Sequence, residues 1–388
     1  MPNPGDAITV TRLAWTDRVL DDIDTPGGQL RITLGLGSGL TRRASDPPGR
    51  LWALGDRGPN LKVGLAVGRY GLDHLKALAG IEGAKIMPRP ALGPMLAELQ
   101  LDGHSIACLR IVPLTDQTGA AFNGLPLPGG DTASMEPAFD LAGAPLGAHT
   151  SGADTEAVVA LADGSFWVAE EYGPSLMKVG ADGTVLVRWV PSGCEASLQG
   201  AAFPVAGVLP GLAAKRRLNR GFEALALSHD ERRLHVLLQS PLEASDEHAA
   251  APLGHARLWS LDIDTGSIVG EHFYPFDAPS SFARDAEAGL VDAEDLKICE
   301  AASVGPGQLL VLERISRTAK IYHVALTQRV LSKTLLLSTD DWPAIVPDLE
   351  GMAILSDRSL VLCTDNDFGV EGVETAFFRI DFDRPFSV

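Results

Sequence analysis

The chain has 388 residues, with Lys+Arg 32 against Asp+Glu 50 and a formal net charge of −18 at pH 7. That surplus repels phosphate polymers and anionic membranes, which argues against a nucleic-acid or membrane-surface partner. Apolar residues at 45% and charged residues at 21% exclude a mainly disordered chain, and Gly 41 with Pro 26, about 17% together against an average near 12%, favour tight turns over long helices.

Taken in chain order, the N-terminus lacks a basic start followed by an apolar block, so the sequence as read carries no export signal. No run approaches the roughly 18 apolar residues of a spanning helix. AITVTRLAW (7–15) reads as an isolated strand. GSGLTRRAS (37–45) and RLWALGD (50–56) then open a series of paired phrases. The first phrase recurs as DTEAVVAL (154–161), GFEALAL (221–227), DAEDLKI (292–298) and DLEGMAIL (348–355), with Glu156, Glu223, Glu294 and Glu350 in the third place and Ser38 in the divergent first unit. The second phrase recurs as SFWVAEE (165–171), RLHVLLQ (233–239), QLLVLER (308–314) and SLVLCTD (359–365). Further strand-like runs follow at 176–190, 256–273 and 319–337, the first two broken by Asp-Gly and Asp-Thr-Gly as hairpin turns require.

Each unit is therefore a four-stranded meander, and the repeat implies an all-β chain folded as a single β-propeller domain over 1–388. Five units are legible; a sixth has room at 100–150 or 190–220. The last unit is one strand short, so pairing with 7–15 would close the ring and remove two exposed edges. The Pro/Gly-rich insert at 58–100, with the short helical pattern GLDHLKALAG, reads as a cap over one face.

First strands of propeller blades line the axis, so the repeated acids converge there. Carboxylates crowded at low dielectric require counter-charge, and an oxygen-rich set suits Ca²⁺ better than Zn²⁺. Asp56, Glu171, Gln239, Glu313 and Asp365 end the second phrases, with the Glu313 register one residue out, and Arg57, Arg220, Arg314 and Arg317 flank them. Acids with arginines suit metal-assisted hydrolysis, in which a carboxylate is the base and an arginine clamps developing charge. The other reading of inward acids is that they hydrogen-bond neighbouring sheets, and Glu223 and Glu294 alone fit it. Trp52, Trp167 and Phe222 are expected to pack between sheets. Four scattered cysteines, with no CxxC pair, read as free thiols. Ser38 lies in GLGSGL, which lacks the first glycine of a nucleophile elbow.

LWALGDRGPN (51–60), DTEAVVALADGSFWVAEEYGPSL (154–176), NRGFEALAL (219–227), LLVLERISR (309–317), and DLEGMAIL with TDNDF (348–368) together resemble the bacterial phytase-like, or "esterase-like activity of phytase", family. The resemblance implies a propeller with a metal-assisted phosphoesterase-type site, usually in exported proteins. Its acidic positions fall on Asp56, Glu156, Glu171, Glu223, Glu294, Glu313, Glu350 and Asp365, with Asn366 beside them. The expected catalytic set is Glu156, Glu223, Glu294, Glu313, Arg57 and Arg314. The expected calcium ligands are Asp56, Glu156, Glu171, Glu223, Glu294, Glu350, Asp365 and Asn366. A small anionic ester is the expected substrate. A lactone or carboxylic-ester hydrolase and a non-catalytic, calcium-stabilised binding propeller remain alternatives, and the compartment stays open between periplasmic or secreted and cytoplasmic.

Overall fold

The computed structural model describes residues 8–129, 135–242 and 254–386. Five antiparallel meanders account for most of the chain. Sheet 1 is Gly39–Thr41, Arg50–Gly55, Met95–Asp102 and Ser105–Pro113. Sheet 2 is Thr155–Ala160, Phe166–Glu170, Ser175–Val179 and Val185–Pro191, extended by Val205–Leu209 in parallel. Sheet 3 is Phe222–Leu227, Arg233–Leu238, His255–Asp262 and Ile268–Pro275. Sheet 4 is Lys297–Gly305, Gln308–Arg314, Ala319–Ala325 and Lys333–Ser338. Sheet 5 is Leu349–Ser356, Ser359–Thr364 and Phe377–Phe382, completed by Ile8–Leu13, which pairs with Phe377–Phe382 from Ile8 opposite Phe382 to Leu13 opposite Phe377.

The hairpins follow from their turn chemistry. Asp182 Oδ1 accepts the Thr184 amide at 3.0 Å, and Gly183 takes φ +90°, a conformation side chains disfavour. The first strand of each sheet packs on its neighbours': Thr155–Ala160 on Phe222–Leu227, then Lys297–Gly305, Leu349–Ser356, Gly39–Thr41 and back to Thr155–Ala160. Apolar clusters fill the spaces between consecutive sheets, including the space between sheets 5 and 1.

Trp52, Trp167 and Phe222 are core residues, as the alternating pattern requires. Trp52 of sheet 1 meets Phe166 of sheet 2 edge-on at 4.9 Å, while Trp167 and Phe222 share the cluster between sheets 2 and 3. Among the described residues no sixth four-stranded sheet is present. The segment 100–150, part of which (130–134) lies outside the described residues, supplies the outer strands of sheet 1 and the short strand Ala138–Phe139, and 190–220 supplies the added strand of sheet 2.

The insert is shorter than its sequence reading. It carries the α-helix Val63–Gly68 and a 3-10 helix, Asp73–Gly80, but residues 95–100 belong to the third strand of sheet 1 because their apolar side chains fill the core there. Short strands Leu61–Lys62, Lys85–Ile86 and Ala138–Phe139 bind the insert to the segment that carries Glu136, and Glu136 pairs with both Lys85 and Arg57.

Phe166 is fully buried against Trp52 and beneath the Arg43 guanidinium. Phe166→Ala is therefore expected to cost about 3–5 kcal/mol in urea unfolding, through lost burial and the cavity left behind.

Candidate functional site

One local irregularity recurs. The register shifts between Thr155 and Ala157, between Phe222 and Ala224, between Ile298 and Glu300, and between Leu349 and Gly351. Such a bulge leaves one extra residue unpaired and re-aims its side chain. The residues so placed are Glu156, Glu223, Cys299 and Glu350. Ser38 holds the matching place in sheet 1, since Gly39 pairs with Leu54 as Ala157 pairs with Ala169. Two residues beyond those partners come Asp56, Glu171, Gln239, Arg314 and Asp365, again one per sheet.

This register corrects two expectations. Glu294 lies five residues ahead of Cys299, in a 3-10 turn capped by the Asp292 side chain, and its own side chain is 76% exposed near Arg217. The repeated phrase in sheet 4 is displaced because the strand begins at Lys297, after the acidic turn. Glu313 is also outside the cluster. As the residue before the site position it faces the opposite way, accepting from the Tyr274 hydroxyl at 2.7 Å and the Asp277 amide at 2.9 Å and pairing with Lys333 at 2.5 Å. Arg314 takes the position instead.

Asn366 is buried but occupied elsewhere. Its amide donates to Thr33 Oγ1 at 3.2 Å and the Leu34 carbonyl at 3.1 Å, while its oxygen accepts from Phe368 N, so it holds a turn rather than offering a free ligand. Arg317 is exposed, on a turn held by Asp285.

Among the described residues, three side-chain groups each bring ligand atoms within 4.8 Å of one another: Asp154, Glu156 and Glu171; Glu223, Cys299 and Glu350; and Asp56, Asp365 and Asp367. Arginines neutralise part of this charge. Arg57 bonds Glu136 and the Tyr172 hydroxyl, with Asp154 Oδ2 at 3.3 Å. Arg314 bonds Glu350 and reaches Asp348 Oδ1 at 3.0 Å and Cys299 Sγ at 3.1 Å. Ser38 donates to Asp365 Oδ2 at 2.9 Å, and the Gly58 amide donates to Asp56 Oδ1 at 2.9 Å.

Elsewhere the compensation is incomplete. Glu171 Oε1, Glu223 Oε2 and Gln239 Oε1 are buried oxygens with no hydrogen-bond donor, and Asp154 Oδ2 has the Arg57 ion pair but no hydrogen bond. Burial, followed by neighbouring carboxylates, holds Asp56, Glu156, Glu223 and Asp365 well above the ordinary carboxylate range. Glu171 is pushed up to about 8, by burial first and Asp154 second, with Arg57, Arg220 and Arg216 opposing. These groups also sense one another: Glu156 feels Glu223, Glu171 and Glu350, and Asp365 feels Asp56, Glu350 and Asp367. Donorless oxygens on crowded carboxylates are what an oxygen-liganded cation requires, so the residues fit one.

Asp154, Asp367 and Cys299 were missed as site residues by sequence reading. Asp154 stands two before Glu156, and Asp367 two after Asp365, a spacing visible in the phrases; nothing in the sequence marks Cys299.

The sequence model of the phytase-like family, described as esterase-like activity of phytase, matches residues 32–368. The chain belongs to this family. An "Uncharacterized secreted protein" of Arthroderma benhamiae is 27% identical over 248 residues, which cover 58% of this chain and 46% of that protein, so the chain spans about half the length of that curated relative. Similar solved structures include the Malassezia sympodialis allergen Mala s 1, at 10% identity and TM-score 0.39 over 90% of this chain and 78% of that one. The PQQ-bound aldose sugar dehydrogenase of Streptomyces coelicolor matches at 10% identity and TM-score 0.37 over 99% and 100%. The Cps50 (Swd1) β-propeller domain of Myceliophteria thermophila matches at 11% and 0.36 over 94% and 99%.

Because the folded-state pKa of Glu171 lies above its unfolded value, the folded protein keeps a proton that the unfolded chain releases, and stability falls as pH rises toward about 8. In chelator, raising the pH from about 6.5 to about 8.5 is expected to cost up to roughly 2 kcal/mol from this group, measured by chemical denaturation. His235, lowered to about 4 by burial, takes up a proton on unfolding and acts with opposite sign, offsetting only about 0.4 kcal/mol at the lower edge of this window, where the unfolded imidazole is half protonated.

Proposed function

We propose that this chain is a metal-dependent ester hydrolase that holds calcium in the buried carboxylate site and acts on a small phosphate ester, on a closed β-propeller of five blades. The observation that carries the reading is the pair of buried oxygens on Glu171 and Glu223 that have no hydrogen-bond donor, beside an Asp154 Oδ2 whose one counter-charge is Arg57. The circuit of contacts between first strands and the apolar clusters between consecutive sheets support the five-bladed ring. Membership of the phytase-like family supports an ester hydrolase. The relative's name as a secreted protein supports a periplasmic or secreted location.

Calcium suits the donor set because it accepts six to eight oxygens with loose geometry. Cys299 is the one soft donor in the set, and burial pushes its thiol up to about 12, which keeps it protonated and a poor ligand. A bound cation would supply Lewis acidity toward the ester and lower the pKa of water. The chain's residues divide the remaining work. Asp154, Glu156, Glu171 and Glu223 hold the cation. Arg57 and Arg314, fixed by Glu136 and Glu350, limit the net negative charge. Arg220, whose Nη2 is held by the Glu294 carbonyl at 3.0 Å and whose Nη1 has no partner, donates to negative charge developing on the substrate.

One observation favours a second reading, a lactone or carboxylic-ester substrate: Arg57 and Arg314 are committed to carboxylates. A neutral ester places less demand on free guanidinium groups than a phosphate does.

Assay of phosphoesters beside lactones, with calcium and with chelator, tests both readings. Chelation is expected to abolish turnover, and Glu223→Gln to lower kcat/KM by at least about 100-fold in a folded protein. A calcium-dependent rise in melting temperature with no turnover of either class would make the protein a binding propeller. Arg220→Ala is expected to lower turnover of an anionic phosphoester by about 100-fold and that of a lactone far less. Equal losses would remove Arg220 from the reaction's charge stabilisation.

A further inference from the structure

Glu300 follows the bulged Cys299 directly and is 1% exposed, yet it belongs to none of the three acidic groups. Its position in the register is shared by Gly39, Ala157, Ala224 and Gly351, the residues that follow the equivalent site positions in the other sheets. All four are small; Gly351 has no room to be larger and Gly39 has little. A Cβ on Gly39 would come within 3.1 Å of the Ala157 backbone, and one on Gly351 within 2.5 Å of Cys363 Sγ and 2.9 Å of Leu40 Cβ. One long side chain therefore occupies a level from which the other first strands withdraw.

What Glu300 meets there is main chain. Oε2 accepts the Leu40 amide of sheet 1 at 3.3 Å and Oε1 accepts the Ala301 amide of sheet 4 at 3.0 Å, while the Leu225 backbone of sheet 3 and the Met352 backbone of sheet 5 add to the field that favours the carboxylate. Burial raises the group's affinity for a proton, and these four backbone groups oppose it. Every one of these partners is a donor, so nothing among them would accept the proton of a carboxylic acid. One residue earlier along each first strand stand the acidic-site residues; one residue later begins a cavity of about 200 Å³ lined by Leu40, Val158, Leu225, Ala301 and Met352.

We propose that main-chain amides of four sheets form an anion-binding ring across the axis, specific for a carboxylate, which this chain fills with its own Glu300 and so closes the channel between the acidic site and the cavity beyond it. The ligand class is a small monocarboxylate, here supplied covalently. The ring depends on neither a bound metal nor turnover.

The test is occupancy by a free carboxylate. In metal-free protein, Glu300→Ala is expected to lower the unfolding midpoint, and formate should restore part of the loss in a saturable manner while equal concentrations of chloride do not and wild type does not respond. Glu300→Gln, of nearly the same shape but presenting an NH₂ group to amide donors, should remain destabilised and unresponsive to formate. If formate leaves Glu300→Ala unchanged, or if the Gln variant is as stable as wild type, Glu300 merely fills space and the proposal fails. Should Glu300→Ala not fold, hydrogen exchange on wild type decides. The Leu40, Leu225 and Met352 amides must then be among the slowest to exchange, and fast exchange at these sites would overturn the ring.

Discussion

Carboxylates that share a low-dielectric space repel one another, and the features of the acidic site answer that repulsion. A perfectly repeated sequence would place ten acids at the two site positions of five sheets. The chain avoids this by breaking its own repeat, with Ser38 and Cys299 at the first position and Gln239 and Arg314 at the second. The exceptions are not evenly spread. Arg314 answers Glu350 and Asp348, and Ser38 donates to Asp365. Relief is weakest where sheet 2 meets sheet 3, and there Glu171 and Glu223 keep oxygens with no donor. A near-symmetric scaffold thus acquires one asymmetric patch of uncompensated carboxylate oxygens.

Such a site is destabilising by itself, so the fold has to carry it. Stability resides between the sheets, where aromatic and aliphatic side chains pack in successive clusters, and in the pairing of Ile8–Leu13 with Phe377–Phe382, which ties one end of the chain to the other. Bulges then convert a structural strand into a functional one. Alternation alone would send successive side chains to opposite faces of a sheet, whereas an extra residue at the start of each first strand lets a polar side chain turn toward the axis without disturbing the apolar rows behind it.

The sequence exposed these relations unevenly, for reasons the residues make plain. Glu156, Glu223 and Glu350 were legible because each opens an apolar phrase followed, after a turn, by a second. Sheet 4 misled because DAEDLKI imitates that phrase while its first residues form a capped turn, and the strand proper begins at KICEAAS. The same displacement hid Cys299, which does not resemble an acid, and the one-residue error at Glu313 exchanged a core ion-pair partner for Arg314. Asn366 shows the limit of proximity in sequence: it adjoins Asp365, yet its side chain is spent on the Asp367–Gly369 turn. Glu300 could not have been singled out, because its partners are backbone amides from sheets far apart in the chain and no side-chain motif encodes them.

The contrast between Cys299's neighbours and Glu300 shows how finely the axis sorts charge. At the level of the bulges, inward groups are side chains, and buried carboxylates there find too few donors. One residue further on, the other strands narrow to Gly or Ala, and main-chain amides become the inward groups. A carboxylate at the first level is therefore left short of donors, while a carboxylate at the second is satisfied by the polypeptide itself. The two levels have opposite requirements although they are a single residue apart, which is why a one-residue slip in alignment, harmless to the fold assignment, reverses the chemical meaning of the residue it names.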